Sequence, residues 1–359
     1  QERNTVSWNA LIGGYAEIGK LKRCIEVFMF MEEEGVRVDD ATFAPLLALL
    51  YDAELYELTR QLHGKIMKRG LEHENTVLNA TITAYAECGC IQDAKRVFDI
   101  ADGYRDLVTW NSMLAAYLEH DLEESGFDVF LEMVRQRLEM DAYTLSSVIS
   151  SCFRDSQQTL GKSLHGFVIK KGLEQVTQAS NALISMYLKS NSQNVEDALK
   201  VFKHIDKKDL VSWNTILTGL SQNWLSENAL RFFQQMHLDY LIFDQYTFSA
   251  VLRSCSDLAT LQLGRQIHVL VVKSGFEGNE YVASALIFMY SKCGIIEDAR
   301  ESFEASHKDS SVTWNSIIFA YAQHGQGKIA LDLFYFMTER RVKLDHVTFV
   351  AALTACSHI

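Results

Sequence analysis

A right-handed superhelical α-solenoid of helix–turn–helix repeats, all-α throughout, is the fold this 359-residue sequence predicts. Three observations predict it. The chain repeats itself with a period near 102 residues, each period divides into three hairpin-sized units, and within a unit the apolar residues follow helical spacing with glycine at the breaks.

The long period is carried by Val6-Ser7-Trp8-Asn9, Val108-Thr109-Trp110-Asn111, Val211-Ser212-Trp213-Asn214 and Val312-Thr313-Trp314-Asn315, whose tryptophans stand 102, 103 and 101 residues apart. Gln61-Leu62-His63, Ser163-Leu164-His165 and Gln266-Ile267-His268 form a second series, with histidines 102 and 103 apart. Asn79-Ala80-Thr81-Ile82, Asn181-Ala182-Leu183-Ile184 and Ser284-Ala285-Leu286-Ile287 form a third. In the first unit Trp8, Leu11, Ile12 and Tyr15 occupy i, i+3, i+4 and i+7 before Gly19, which predicts one amphipathic helix and its end. Ile25, Phe28 and Met31 then share a face of a second helix that Gly35 closes. The punctuation continues with Gly70, Gly172 and Gly275 after second helices, and with Gly89, Gly294 and Gly325 after first helices. A hairpin of about 35 residues cannot bury its apolar face alone, so successive hairpins must stack and leave a concave surface.

Composition narrows the function classes. Hydrophobic residues make up 48% and charged residues 22%, which excludes a linker or a disordered tail. No run of apolar residues is long enough for a spanning helix, and Gln1-Glu2-Arg3-Asn4 carries no signal-peptide pattern, so a soluble chain with its address signal elsewhere and no membrane partner is expected. Seven cysteines, an odd number with no CxxC, suit reduced, packed thiols in a reducing compartment. A net charge of −12 argues against a protein that grips phosphates by bulk electrostatics, so any nucleic-acid binding must be local and directed at bases.

Several motifs are discarded. Gly161-Lys162-Ser163 has Ser156 where a phosphate loop needs its first glycine, and it falls in predicted helix. Gly325-Gln326-Gly327-Lys328-Ile329-Ala330 falls at a helix–helix turn with no strand before it. There is no HExxH and no His-x-Glu with a downstream Pro-Cys-x-x-Cys, so no catalytic residue, metal or cofactor is expected. The periodic tryptophans and His63, His165 and His268 suit packing and framework roles.

The alternation of 35-, 35- and roughly 31-residue units, with the VSWN, Arg60-Gln61-Leu62-His63-Gly64 and Asn181-to-Tyr187 landmarks, resembles the plant PLS-class pentatricopeptide repeat proteins over essentially the whole chain. Under that resemblance P-type units run 5–39, 107–141, 210–244 and 311–345, L-type units 40–74, 142–176 and 245–279, and S-type units 75–106, 177–209 and 280–310. Residues 1–4 resemble the tail of a preceding S unit and 346–359 a truncated L unit, giving ten complete units. The family often has a proline before the last Asp of a unit, where this chain has Val38, Met140, Phe243 and Leu344; its single proline is Pro45.

The resemblance implies single-stranded RNA binding, one base per unit, read by the fifth and last residues of each. Asn9 with Asp39, Asn111 with Asp141, Asn214 with Asp244, Asn315 with Asp345, Asn79 with Asp106 and Asn181 with Asp209 are then uracil readers, and Ser249 with Asn279 resembles an adenine reader. Ala44/Glu74, Ser146/Val176 and Ser284/Ser310 match no usual pair. An Asn near a helix start is commonly a cap, but six Asn/Asp pairs in phase with the repeat favour reading. An amide carries both donor and acceptor and can match the Watson–Crick edge of uracil, while a carboxylate orients it. Val6, Val108, Val211 and Val312 are expected to sandwich bases. With N-terminal units on the 5′ side the expected target is U-n-U-U-n-U-U-A-n-U. The family role implied is C-to-U editing of a mitochondrial or plastid transcript, with multiple-organellar-editing-factor proteins on the L units and a deaminase in cis or trans; the closing segment from Asp345 to His358 resembles the L unit that precedes such an extension. An RNA processing, stabilising or fertility-restoring binder would share the array. A tetratricopeptide-like scaffold would have uniform 34-residue units instead.

Overall fold

The computed structural model describes residues 4–190, 194–239 and 241–357, and no strand occurs among them. The chain falls into two compact units, residues 1–151 and 152–359. In the first, α1 (Thr5–Glu17) pairs with α2 (Leu21–Glu33), α3 (Asp40–Leu47) with α4 (Tyr56–Arg69), α5 (Asn75–Glu87) with α6 (Ile91–Ile100) and α7 (Leu107–Glu119) with α8 (Glu123–Arg135), followed by α9 (Ala142–Ser151). In the second, α10 (Gln158–Lys170) precedes the pairs α11 (Thr177–Ser190) with α12 (Val195–His204), α13 (Leu210–Gln222) with α14 (Ser226–Leu238) and α15 (Gln245–Asp257) with α16 (Leu261–Lys273). Then come α17 (Glu280–Lys292) with α18 (Ile296–Ala305), α19 (Ser311–Gln323) with α20 (Gly327–Glu339), and α21 (His346–Cys356). Within each unit every first helix packs on its own second helix and on the next first helix, so the first helices form one layer of an all-α repeat solenoid. The shorter hairpins owe their length to α6, α12 and α18, which have 10 residues each where the second helices beside the tryptophan repeats have 13.

Each sequence landmark has a packing role. Trp8, Trp110, Trp213 and Trp314 are all buried. Trp110, Trp213 and Trp314 stand edge-on to Phe98, Phe202 and Phe303 of the preceding short hairpin at 5.0, 5.0 and 4.8 Å. A cation lies over each phenylalanine: Arg105, Lys208 and Lys308 are 4.1, 5.2 and 5.4 Å from the ring centres. His63, His165 and His268 each meet a tyrosine hydroxyl of the next hairpin through Nδ1: Tyr85 at 3.0 Å, Tyr187 at 2.8 Å and Tyr290 at 2.8 Å. Burial pushes all three imidazoles below the ordinary histidine value and pushes Tyr85 and Tyr187 up to about 12, so these are neutral structural pins. Gly161 lies inside α10, where a Cβ would come within 2.4 Å of Met186 Sδ, and Gly264 repeats the arrangement at 2.5 Å from Met289 Sδ. The glycine of the GKS triplet therefore serves close helix packing.

Cys24, Cys88, Cys152 and Cys255 are buried as expected, whereas Cys90 and Cys293 are half-buried at helix ends and Cys356 is exposed at the end of α21. No described helix is long and apolar enough to cross a membrane.

The turns after α1, α5, α7, α13, α15, α17 and α19 each place one residue in the left-handed region. Gly19, Gly89, Gly294 and Gly325 fill it at φ between 66° and 82°, but Asp121, Trp224 and Ala259 fill the equivalent places. Arg137 and Arg341 do the same after second helices, where Gly35 and Gly70 stand elsewhere. A side chain costs about 1 kcal/mol there. Ala259, at φ 48° and exposed, loses no packing on truncation, so Ala259→Gly is expected to stabilise the chain by about 0.5–1 kcal/mol, read as a higher denaturation midpoint. A lower midpoint would contradict the strain argument.

Candidate nucleic-acid interface

Because first helices lie side by side, the residue that caps one helix sits beside the first turns of the helix before it. Asp39, Asp106, Asp209, Asp244 and Asp345 are N-caps, each accepting from the backbone N–H three residues on, and Asp141 accepts from Thr144 N in the same way. Asn9, Asn79, Asn111, Asn181, Asn214 and Asn315 lie inside helices, so capping falls to the aspartates and the asparagine amides are free for other partners.

In five of the six pairs the two side chains then hydrogen-bond to each other, while Asn111 and Asp141 are linked through the Thr144 hydroxyl. Asn9 Nδ2 donates to Asp39 Oδ1 at 2.8 Å. Asn214 Nδ2 donates to both Asp244 oxygens at 3.0 and 2.9 Å, and Asn315 Nδ2 to both Asp345 oxygens at 3.1 and 3.3 Å. Asn181 Nδ2 reaches Asp209 Oδ1 at 3.4 Å. Burial alone would raise Asp106 and Asp209, but hydrogen bonds from Thr109 and Asn79, and from Ser212, Asn181 and Thr177, hold them below the ordinary carboxylate value. The Thr348 N–H leads the same lowering at Asp345. These carboxylates are therefore ionised at neutral pH and act as fixed acceptors that turn each amide NH₂ toward themselves.

Cavities open over the pairs. One of about 400 Å³ is lined by Val211, Asn214, Asp244 and Tyr246. A second of about 360 Å³ is lined by Val108, Asn111, Asp141 and Tyr143, and a third of about 470 Å³ by Val312, Asn315, Asp345 and Val347. In each, the polar pair forms the floor, and the second residues of two consecutive first helices form the walls. Val6, Val108 and Val211 are 73%, 57% and 60% exposed, apolar side chains held in water beside polar groups, whereas Val312 is half-buried. The rims differ in charge, with Glu87 and Glu119 at the second cavity and Lys189 at the first.

The remaining pairs differ. Ser249 donates to Gln245 O, while Asn279 caps α17 by accepting from Tyr281 and Val282 N–H groups. Ser284 shares a hydrogen bond with Ser316, and Ser310 caps α19. Two features escaped the sequence reading. Tyr143, Tyr246 and Tyr281, 47%, 63% and 57% exposed, stand in the phase of the sandwiching valines, and following that phase through every unit would have found them. The third residue of the next helix, a threonine or serine at six of the pairs, could have been found in the same way. Among the described residues no group of His, Cys, Asp and Glu is placed to hold a metal ion.

Comparison with known proteins places this architecture. The model of the PPR repeat family matches residues 3–50, 105–154, 208–257 and 309–358, more than half of the chain. A putative pentatricopeptide repeat-containing protein of Arabidopsis thaliana is 54% identical over 359 residues, covering 99% of this chain and 51% of its own length. Two Arabidopsis thaliana relatives named chloroplastic are 31% and 30% identical. The chain spans about half the length of these curated relatives, 43% and 44% for the latter two. Among solved structures, the pentatricopeptide repeat protein PPR10 in complex with an 18-nucleotide psaJ RNA element aligns with a TM-score of 0.68 at 14% identity, over 99% of this chain and 53% of that one. PPR10 from maize gives a TM-score of 0.57 at 16% identity, over 99% of this chain and 57% of that one. With the fold and the family model in agreement, the chain belongs to the PPR repeat family of pentatricopeptide repeat proteins.

Proposed function

We propose that this chain binds single-stranded RNA one base per hairpin, with a uridine-rich target, and directs C-to-U editing of an organelle transcript. The observation that carries the reading is the recurrence of one cavity type, an Asn and Asp floor between two apolar or aromatic second-position side chains, at the phase of the repeat. Uracil presents an acceptor, a donor and an acceptor on its pairing edge, which an amide can match with one donor and one acceptor, and the flanking side chains can hold the ring faces. The structurally similar PPR10 is bound to an RNA element, and relatives named chloroplastic support an organelle. The P, L and S unit boundaries, editing-factor partners on the L units and a deaminase in cis or trans belong to the same proposal. RNA processing or stabilisation is the second reading, because it would use the same cavities. In both readings this chain is a binder and supplies no chemistry.

Charge supplies a test. With 46 acidic against 34 basic side chains, few phosphates can be neutralised, and each ionic contact contributes a slope of about −0.7 in log K against log salt. The expected total slope is on the order of −2 to −3 for about ten nucleotides. Affinity that collapses at moderate salt, with shuffled RNA of equal length bound equally well, would contradict base-directed binding.

A further inference from the structure

Three of the six pairs contain a third member. Thr42 Oγ1 lies 2.6 Å from Asn9 Oδ1, Thr144 Oγ1 lies 2.7 Å from Asn111 Oδ1, and Thr247 Oγ1 lies 2.7 Å from Asn214 Oδ1. Each hydroxyl also lies 2.9, 2.8 and 2.9 Å from the Asp39, Asp141 and Asp244 carboxylates. The hydroxyl has one proton, and the asparagine carbonyl is the nearer acceptor in all three. The carboxylate oxygen already accepts from the threonine's own N–H, at 3.1, 2.8 and 2.9 Å. The hydroxyl's acceptor side is used by Asp39 N at 3.2 Å and Asp244 N at 3.4 Å. The threonine is thus set to donate to the amide oxygen in all three, and at Asn9 and Asn214 the carboxylate also receives the amide nitrogen.

The other three pairs have the same caps without this contact. Thr109, Ser212 and Thr348 donate to Asp106, Asp209 and Asp345, yet Asn79, Asn181 and Asn315 each keep a buried Oδ1 with no hydrogen-bond partner. Capping therefore does not require the threonine to touch the asparagine, and the contact at Thr42, Thr144 and Thr247 is an additional feature.

We propose that these three hydroxyls are specificity-determining positioning groups that lock the asparagine amide in the orientation selecting uracil over cytosine. The inference rests on the base-reading function proposed above. Uracil offers a donor at N3 and an acceptor at O4, whereas cytosine offers an acceptor at N3 and a donor at N4. An amide with its nitrogen beside the carboxylate and its oxygen held by the hydroxyl can present one N–H and one lone pair in only one order, and reversing it exchanges the match from uracil to cytosine. The carboxylate opposes the reversed amide, and the hydroxyl opposes it again through a bond that reversal breaks.

The test is the ratio of affinities for two RNAs differing only by U or C at the nucleotide read by Asn214, a nucleotide assigned as the one whose preference changes in Asn214→Ser. Thr247→Val is expected to narrow the U-over-C ratio about three- to tenfold, the worth of one net hydrogen bond, while Thr247→Ser retains it. Thr109→Val, which loses the same cap contact to the aspartate but touches no asparagine, is expected to leave the ratio at the Asn79 nucleotide unchanged. Thr144→Val repeats the measurement at Asn111 should Thr247→Val fold poorly. An unchanged ratio in both valine variants, or an equal loss in Thr109→Val, would overturn the proposal. If the wild-type protein shows no U preference at any nucleotide, base reading itself fails, and this inference falls with it.

Discussion

Trp314→Ala is expected to destabilise the chain by about 3–5 kcal/mol, the cost of emptying a large aromatic site in a well-packed core. Trp314 is fully buried, packs edge-on against Phe303 at 4.8 Å and donates from Nε1 to Lys308 O at 2.9 Å. Its removal would empty the seat between the α17/α18 and α19/α20 hairpins and strand that carbonyl. In a repeat stack each hairpin is stabilised by its neighbours, so the damage is expected as early unfolding of the hairpins around Trp314. Hydrogen exchange resolved along the sequence, alongside a urea titration, would show it. A loss below about 1 kcal/mol would mean that the tryptophan is not the interhairpin anchor.

Replacing Asn111, Asn214 and Asn315 together by Ala is expected to weaken binding of the U-rich target by roughly 10- to 1,000-fold, since each lost base contact costs about 0.5–1.5 kcal/mol net. All three lie within helices, where alanine is the most favourable residue, so the fold is expected to survive. The same variant should bind an RNA lacking uridine at those nucleotides about as well as the wild-type protein does. Affinity within twofold of wild type on the U-rich target would show that these amides do not face the RNA.

The periodic aromatic residues made the fold legible in the sequence. Trp8, Trp110, Trp213 and Trp314, with His63, His165 and His268, mark positions where one hairpin must seat on the next, and burial forces large or hydrogen-bonded side chains there. Glycine punctuation was legible only in part, because Asp121, Trp224 and Ala259 occupy left-handed turns that sequence propensity assigns to glycine. Neighbouring packing overrides that local cost of about 1 kcal/mol. The pairing of Asn with Asp was legible from phase. The threonine hydroxyls were not, since Thr42 and Thr109 hold the same place after their aspartates in sequence, yet one reaches an asparagine and the other does not. The Ser249 and Asn279 pair shows the opposite limit, for its two side chains are engaged within and at the start of their own helices.

Selection of RNA ligands from a random single-stranded pool tests the central claim most directly, because it reads every hairpin at once without assuming a target. The expected consensus is U-n-U-U-n-U-U-A-n-U, 5′ to 3′ from the N-terminal hairpin, with uridine enriched at the six nucleotides facing Asn9, Asn79, Asn111, Asn181, Asn214 and Asn315. Purine enrichment at those six nucleotides, or a pool that gains affinity without converging on a sequence, would contradict it.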